Sequence, residues 1–305
     1  MSGCPKAIYK YMSAYGFERT IQGRSLKLSR PRDFNDPFDI RVDRLTNLDT
    51  KELLVAVGKE IRRIVTSPFT PANLRDGPFK DKLIFMNFWY KNLDGMAKKQ
   101  FFRNLTEDRI EKIYDLGLLE KDTEEFIEIM MQRLENSGIF CSSTETKDLL
   151  MWSHYADSHK GFLLEITPSL EEDSALLASK PVSYSEFRPT IYSTPEEFIS
   201  LSLMIPREEA VQIVMNRLVY TKGLSWAYEK EYRLWIPDYV PKESAFSTIS
   251  IRENEISKII IGCRCDLENN IETLRMAKEQ HSKVRIFKSH VSTYDYDLTY
   301  EEIDI

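Results

Sequence analysis

The hydrophobic periodicity of this chain changes twice, and these changes constrain its fold more than any other feature. Short extended segments open the chain and return after residue 138. Between residues 49 and 138, apolar residues instead recur at helical spacing, with Leu53, Val57 and Ile61 on one face. We therefore expect a single α+β domain over residues 1–305, in which a mixed or antiparallel β-sheet core carries a helical insertion over residues 49–138.

Other segments are predicted from turn and capping residues. The first thirty residues are expected to alternate extended pieces with turns, and Thr194 and Pro206 are expected to introduce two surface helices. The further predictions, in chain order, are strands at residues 7–11, 25–29, 139–142, 161–166, 258–261 and 284–287, and a helix at residues 267–280.

Composition limits the class of protein. No apolar run reaches the roughly 20 residues of a membrane-spanning helix, and the first residues lack the apolar core of a signal peptide, so we expect a cytoplasmic protein with no membrane association. Its four cysteines are too few for a disulfide framework and are expected to be free thiols. The net charge of -6 argues against bulk affinity for nucleic acid.

Two of the four histidines fall in one polar and aromatic block that ends at Gly161. The glycine predicts a helix stop followed by a strand, which places His154 and Tyr155 at the end of an element, where sites are commonly built. His154 is either a satisfied core histidine or a ligand or acid–base group, and the sequence leaves both open. His159 lies five residues further on, a spacing that does not let both imidazoles chelate one ion on a helix.

The signature motifs of several enzyme classes are absent from the sequence. It contains no G-x-G-x-x-G, G-x-x-x-x-G-K-[ST], G-x-S-x-G or H-E-x-x-H motif, which argues against dinucleotide-binding dehydrogenases, P-loop enzymes, elbow-type hydrolases and zincin proteases. Cys263 and Cys265, with His281 and His290 downstream, fit no zinc module. We therefore predict no metal site.

Residues 226–236 alternate with period two and are expected to form one strand. On such a strand Glu229, Glu231 and Arg233 project from the same side. This row suits a carboxylate that accepts hydrogen bonds or stabilises a developing cation. An exposed sheet face with an intrastrand ion pair is the alternative.

Six sequence blocks occur in order along the chain, at residues 8–11, 28–31, 34–38, 151–162, 226–233 and 260–263. Taken together, they resemble the bacterial family catalogued as domain of unknown function 2971. The resemblance covers nearly the whole chain outside the predicted insertion, and it implies no reaction.

A more distant resemblance, to ADP-ribosyltransferases, implies a fold and a reaction. The first strand with Lys10 is similar to their first strand, which usually carries His or Arg there, and Ser29 ends a segment similar to their next strand. Glu231, at the end of Glu229-Lys230-Glu231, matches their catalytic glutamate. The resemblance implies an ADP-ribosyltransferase-like sheet, with the helical insertion where such enzymes tolerate one.

The same resemblance implies roles for individual residues. Glu231 would hydrogen-bond the ribose of NAD and stabilise an oxocarbenium-like transition state, and Glu229 would orient the acceptor. Lys10 would bind the ribose or a phosphate, and Ser29 would support the nicotinamide pocket. Asn35, His154 and Tyr155 are further candidates for this pocket.

The resulting functional hypothesis is an enzyme that uses NAD as a substrate and transfers ADP-ribose to an unidentified macromolecule, as a toxin or phage-defence effector. Two alternatives stay open. The first is a non-catalytic module that senses NAD or a related nucleotide, or binds a protein. The second is a nuclease or other hydrolase that uses Asp36, His154, His159 and Glu231.

Overall fold

The computed structural model describes residues 4–41, 50–68, 74–76, 78–103, 116–241, 244 and 246–305. The strands within them are β1 (Ile8–Met12), β2 (Ser25–Leu28), β3 (Gly138–Ser143), β4 (Phe162–Ile166), β5 (Lys180–Pro181), β6 (Ser183–Ser185), β7 (Thr221–Gly223), β8 (Glu231–Ile236), β9 (Ser247–Ser250), β10 (Ile256–Ile261), β11 (Arg285–Val291) and β12 (Leu298–Glu302). The α-helices are α1 (Ala14–Gly23), α2 (Thr50–Thr66), α3 (Pro78–Asn92), α4 (Gly95–Arg103), α5 (Leu116–Glu135), α6 (Leu149–Tyr155), α7 (Pro195–Ile199), α8 (Arg207–Val219) and α9 (Ile271–Gln280).

The chain is a mixed α+β protein built on an eight-stranded sheet. The strand order is β12-β11-β10-β4-β1-β3-β8-β5, and all neighbours pair antiparallel except β10 and β11. This one parallel pair is joined by α9, because parallel strands need a crossover connection. Two short ribbons, β2 with β9 and β6 with β7, accompany the sheet. The predicted mixed and largely antiparallel sheet is confirmed.

The main core lies on one face of this sheet. Phe17 of α1 and Leu274 of α9 pack there against strand residues such as Ile8 and Ile259, all of them buried. On the other face a smaller cluster forms around Trp152 of α6. Because side chains alternate along each strand, β1, β4 and β10 contribute to both clusters.

The first thirty residues differ from the prediction, because α1 occupies the stretch expected to be a turn. The Ser13 side chain caps this helix by accepting a hydrogen bond from the Gly16 amide at 3.1 Å. Phe17 and Ile21 form its buried face. Gly16 and Gly23, which are poor helix formers, made the segment resemble a turn.

Contacts divide the chain into two compact units. The first comprises Met1–Ile40, Arg133–Arg188 and Val219–Ile305 and contains the sheet, and the second comprises Arg41–Gln132 and Pro189–Leu218. The predicted lower boundary of the helical insertion, residue 49, lies outside the described residues, and the single-domain organisation stays a prediction.

Within the second unit, α2 packs against α3 and α7. The predicted apolar face of α2 is confirmed, since Val57 and Ile61 are buried. From α3, the buried Asn87 amide donates to the Ile64, Val65 and Ser67 carbonyls at 2.9–3.2 Å and so ties the two helices together. No helix among the described residues is long and apolar enough to cross a membrane.

The strand predicted over residues 226–236 is only half correct. Leu224–Glu229 is a 3-10 helix, Lys230 takes a left-handed conformation with φ 44°, and β8 begins at Glu231. The alternative of an exposed sheet face is wrong, because the side chains of Glu229, Glu231 and Arg233 are buried.

Candidate functional site

A cavity of about 360 Å³ opens beside the central strands β1, β3 and β8. The loop after β2, the end of α6 and β7 complete its walls. All seven residues proposed from the sequence as site residues line it, together with residues that the sequence did not single out. The lining consists of Tyr9, Lys10, Tyr11, Ser29, Asp33, Phe34, Asn35, Asp39, Cys141, Ser142, Ser143, Met151, His154, Tyr155, Lys222, Glu229, Glu231 and Arg233.

Arg233 forms the floor of this cavity and is completely buried. Its Nη1 and Nη2 atoms donate to the two carboxylate oxygens of Asp39 at 2.9 and 2.5 Å. Its Nε and Nη2 atoms donate to the two oxygens of Glu231 at 2.8 and 2.9 Å, and Nη1 also donates to the Val219 carbonyl at 2.7 Å. These five hydrogen bonds match the five donors of a guanidinium group.

Glu231 is held as an anion by its neighbours. Besides Arg233, Lys222 donates to its Oε2 at 3.3 Å. Burial acts to raise the pKa of Glu231, but the charges of Arg233 and Lys222 outweigh it and lower this pKa well below the ordinary value. Cys141 lines the same cavity, and burial is the main reason that the pKa of its thiol is raised.

The pKa of Glu229 is shifted in the opposite direction, above its ordinary value. It lies at the end of the 3-10 helix, and the left-handed Lys230 turns the chain so that both glutamates reach the cavity. The Tyr155 hydroxyl donates to its Oε1 at 2.5 Å, and Lys222 donates to its Oε2 at 2.5 Å. Burial and the nearby negative charge of Glu231 raise the pKa of Glu229, and Lys222 only partly offsets this.

Tyr155 connects Glu229 to the loop after β2. Its hydroxyl accepts a hydrogen bond from the Asn35 amide at 3.3 Å while it donates to Glu229. Burial and the Glu229 charge raise the pKa of Tyr155, so it remains a neutral donor. Asn35, Tyr155 and Glu229 therefore form one hydrogen-bonded chain.

The remaining candidates take different positions around the cavity. Lys10 donates from Nζ to the Cys141 carbonyl at 2.7 Å, and burial lowers its pKa. Ser29 is fixed through its backbone, which pairs with Ile139 in both directions at 2.9 Å. His154 is exposed and meets the Tyr155 ring edge-on, with centroids 6.4 Å apart.

The residues of the nuclease hypothesis are not brought together at the cavity. His154 and Glu231 line it, whereas Asp36 and His159 are not among its lining residues. The Asp36 carboxylate accepts from the Phe38 amide at 2.9 Å and shapes the loop. The His159 ring stacks on Trp152, with centroids 6.3 Å apart. Across the residues with a described position, no group of His, Cys, Asp and Glu side chains is arranged to hold a metal ion.

Sequence reasoning missed Asp39 and Lys222. Lys222 lies 3.8 Å from Asp39 and bridges Glu229 and Glu231, so it contacts every carboxylate of the cluster. Lys222 lies on β7, and this strand of three residues is too short to show a periodic pattern in the sequence. Asp39 follows the loop of Asn35 and lies just outside the sequence block at residues 34–38.

Comparison with known proteins relates part of this chain to a protein family. Residues 151–234 match the model of a family described as protein of unknown function (DUF2971), which agrees with the resemblance over that part of the chain. No curated protein and no solved structure matches the chain. The matched part contains His154, Tyr155, Lys222 and both glutamates, and seven of the eighteen lining residues lie within it.

Proposed function

We propose that this chain is an ADP-ribosyltransferase-like enzyme that cleaves the N-glycosidic bond of NAD and transfers ADP-ribose to a macromolecule, in the setting of a toxin or phage-defence effector. The observation that carries the proposal is that Glu229 and Glu231 meet in one cavity with pKa values shifted in opposite directions. Such pairs are typical of acid–base sites. The cavity also has the size of a small-molecule site.

The hydrogen bonds of Glu231 favour an electrostatic role for this residue. Three donors bind its two oxygens, two from Arg233 and one from Lys222, and both of these residues are buried. Because these ion pairs hold its carboxylate in place, we assign to Glu231 a fixed negative charge that stabilises the oxocarbenium-like ribose across the cavity. This assignment differs from the ribose hydrogen bond that the family resemblance implies.

Glu229 is the better candidate for direct contact with the substrate. Each of its oxygens accepts one hydrogen bond, from Tyr155 or from Lys222, so a second acceptor position remains on each. Its raised pKa also suits a group that takes up a proton during the reaction. We therefore assign to Glu229 the contact with the ribose hydroxyl and with the acceptor.

The proposed step is a substitution at the anomeric carbon of the nicotinamide ribose. The bond from this carbon to the nicotinamide nitrogen breaks, and its electron pair stays with nicotinamide. A nucleophilic atom of the acceptor forms the new bond to the same carbon, and its proton moves to Glu229. The donors Tyr155 and Lys222 hold Glu229 in position, while Lys10, Ser29, Asn35 and His154 surround the bound substrate.

The test is nicotinamide release from NAD by the full chain, with mixed cellular RNA, DNA and protein offered as acceptors. We expect Glu229→Gln to lower the rate by about 100-fold or more, the usual contribution of a positioned acid or base. Glu302→Gln is the control, since this glutamate is exposed on β12 and pairs with Arg285. Thermal stabilisation by NAD without any release would instead support the non-catalytic sensor.

A further inference from the structure

The loop after β2, residues 31–38, forms one wall of the cavity. Phe34 and Asn35 of this loop line the cavity. The Phe34 ring centroid lies 5.4 Å from the guanidinium carbon of Arg233, which forms the cavity floor. The Asn35 amide donates to the Tyr155 hydroxyl at the end of α6. The loop therefore contacts both the floor and another wall of the cavity.

Both ends of this loop are attached to the rest of the first unit through buried side chains. Before the loop, the buried Arg30 donates from Nη2 to the Pro241 and Ser244 carbonyls at 2.5 and 2.6 Å. After the loop, the buried Asp39 accepts two hydrogen bonds from Arg233. These contacts fix the points at which the loop begins and ends.

Between these ends, the backbone of the loop bonds only locally. The Phe34 amide donates to the Pro31 carbonyl at 3.2 Å, and the buried Asp36 carboxylate accepts from the Phe38 amide at 2.9 Å. Within the described part of the chain, no backbone hydrogen bond joins residues 31–38 to anything beyond the residue on either side of the loop. A compact loop with its own internal bonds can move as one piece, and side chains alone hold it against the cavity.

We propose that residues 31–38 form a lid over the cavity, and that the hydrogen bond from Asn35 to Tyr155, at 3.3 Å, holds this lid closed. Glu229 and Glu231 are only 3% and 5% exposed although they line the cavity, so a ligand needs such an opening to reach them. Tyr155 also donates to Glu229, which links closure of the lid to the position of that carboxylate. The lid belongs to the cavity of the proposed function, but its test uses no NAD, so the two proposals can fail separately.

Cys141 lines the cavity, so the reaction rate of its thiol reports how often the cavity is open. The full chain is treated with iodoacetamide, and alkylation of each cysteine is followed by mass spectrometry. Asn35→Ala and Tyr155→Phe remove the same hydrogen bond from its two sides. Both should raise the alkylation rate of Cys141 about fivefold, the population change expected from the loss of one hydrogen bond. A maleimide that carries fluorescein should also react faster, because an open lid admits it and a small gap does not.

Asn269→Ala is the matched control, because this exposed asparagine also donates a side-chain hydrogen bond, to Asp266 at 2.7 Å, and does not line the cavity. It should leave the alkylation rate of Cys141 unchanged. The buried Cys265 reports general loosening of the first unit, and its rate should be equal in the wild-type chain, Asn35→Ala and Tyr155→Phe.

Three results would overturn the lid. The first is that either Asn35→Ala or Tyr155→Phe labels Cys141 no faster than the wild-type chain does. The second is that Cys265 accelerates by the same factor as Cys141, which indicates loosening of the whole unit. The third is that only iodoacetamide, and not the fluorescein maleimide, reacts faster with Cys141 in both variants.

Discussion

At the scale of single residues, Arg233 determines how the cavity is organised. A fully buried guanidinium is costly to remove from water unless its donors and charge are matched. Asp39 and Glu231 provide this match from two directions, each through two hydrogen bonds. The arginine thereby fixes both carboxylates and lowers the pKa of Glu231.

Removing Arg233 should therefore destabilise the fold strongly. Arg233→Met leaves Asp39 and Glu231 buried without their main partner, and we expect a loss of about 3–5 kcal/mol in the free energy of unfolding. Arg285→Met removes an exposed arginine that also forms two bonds, to Glu302, and should cost at most about 1 kcal/mol. Urea unfolding of both variants measures the difference. Equal losses would show that the buried cluster is not a stabilising unit.

Glu231 also predicts how stability changes with pH. Its folded-state pKa lies below the ordinary value of 4.5, so its contribution to stability is present above pH 4.5 and is lost as the pH falls below that value. Glu231→Gln should therefore lose less stability than the wild-type chain between about pH 5 and pH 2. Chemical unfolding at a series of pH values tests this. Parallel stability curves for the two proteins would contradict the assignment.

At the scale of elements, the connection from α6 to β4 holds Tyr155 at the cavity. Asp157, Ser158 and His159 all take left-handed conformations, with φ of 47°, 56° and 69°. Gly161 follows, and its amide donates to the Ala156 carbonyl at 2.8 Å. This hydrogen bond closes the turn, and the Met12 carbonyl comes so close to Gly161 that no side chain fits there.

Gly161→Ala should consequently destabilise the first unit. An added Cβ would overlap the Met12 carbonyl oxygen and lie 3.0 Å from that of Ala156, so β1 or the turn must shift. We expect a cost of about 3 kcal/mol or more, at the upper end for overpacking. Gly95→Ala is the control, because a Cβ there meets nothing within 4 Å. Thermal denaturation of both variants is the measurement, and an unchanged midpoint for Gly161→Ala would refute the close approach.

The segment before β8 shows what periodicity can and cannot predict. Alternation correctly grouped Glu229, Glu231 and Arg233, although only the last two belong to a strand. A 3-10 helix that ends in a left-handed residue, Lys230, brings Glu229 to the same cavity. A change from a 3-10 helix to a strand has no regular period, so a pattern in the sequence does not predict it. The left-handed conformation is usually adopted by glycine, and Lys230 therefore gives no sign of the turn.

At the scale of the whole molecule, patterns in the sequence predicted the α+β class and pointed to residues that line one cavity, but they did not predict the charge pairing there. The apolar strands and the helical spacing of α2 are local properties, so they could be predicted from patterns. The pairing of Asp39 with Arg233 joins residues 194 positions apart, and Lys222 becomes important only through its distances to the three carboxylates. Such contacts depend on tertiary structure, and a single sequence does not reveal them.

The division of roles between the two glutamates is the central claim, and it is tested by measuring nicotinamide release and the thermal midpoint of Glu229→Gln and Glu231→Gln side by side. We predict that Glu229→Gln loses nicotinamide release and lowers the midpoint less than Glu231→Gln does, because the raised pKa of Glu229 means that the fold disfavours its charged form. Glu231→Gln should have a lower midpoint, because the buried Arg233 loses a charged partner. The claim is contradicted if Glu229→Gln releases nicotinamide at the wild-type rate, or if Glu231→Gln is as stable as the wild-type chain.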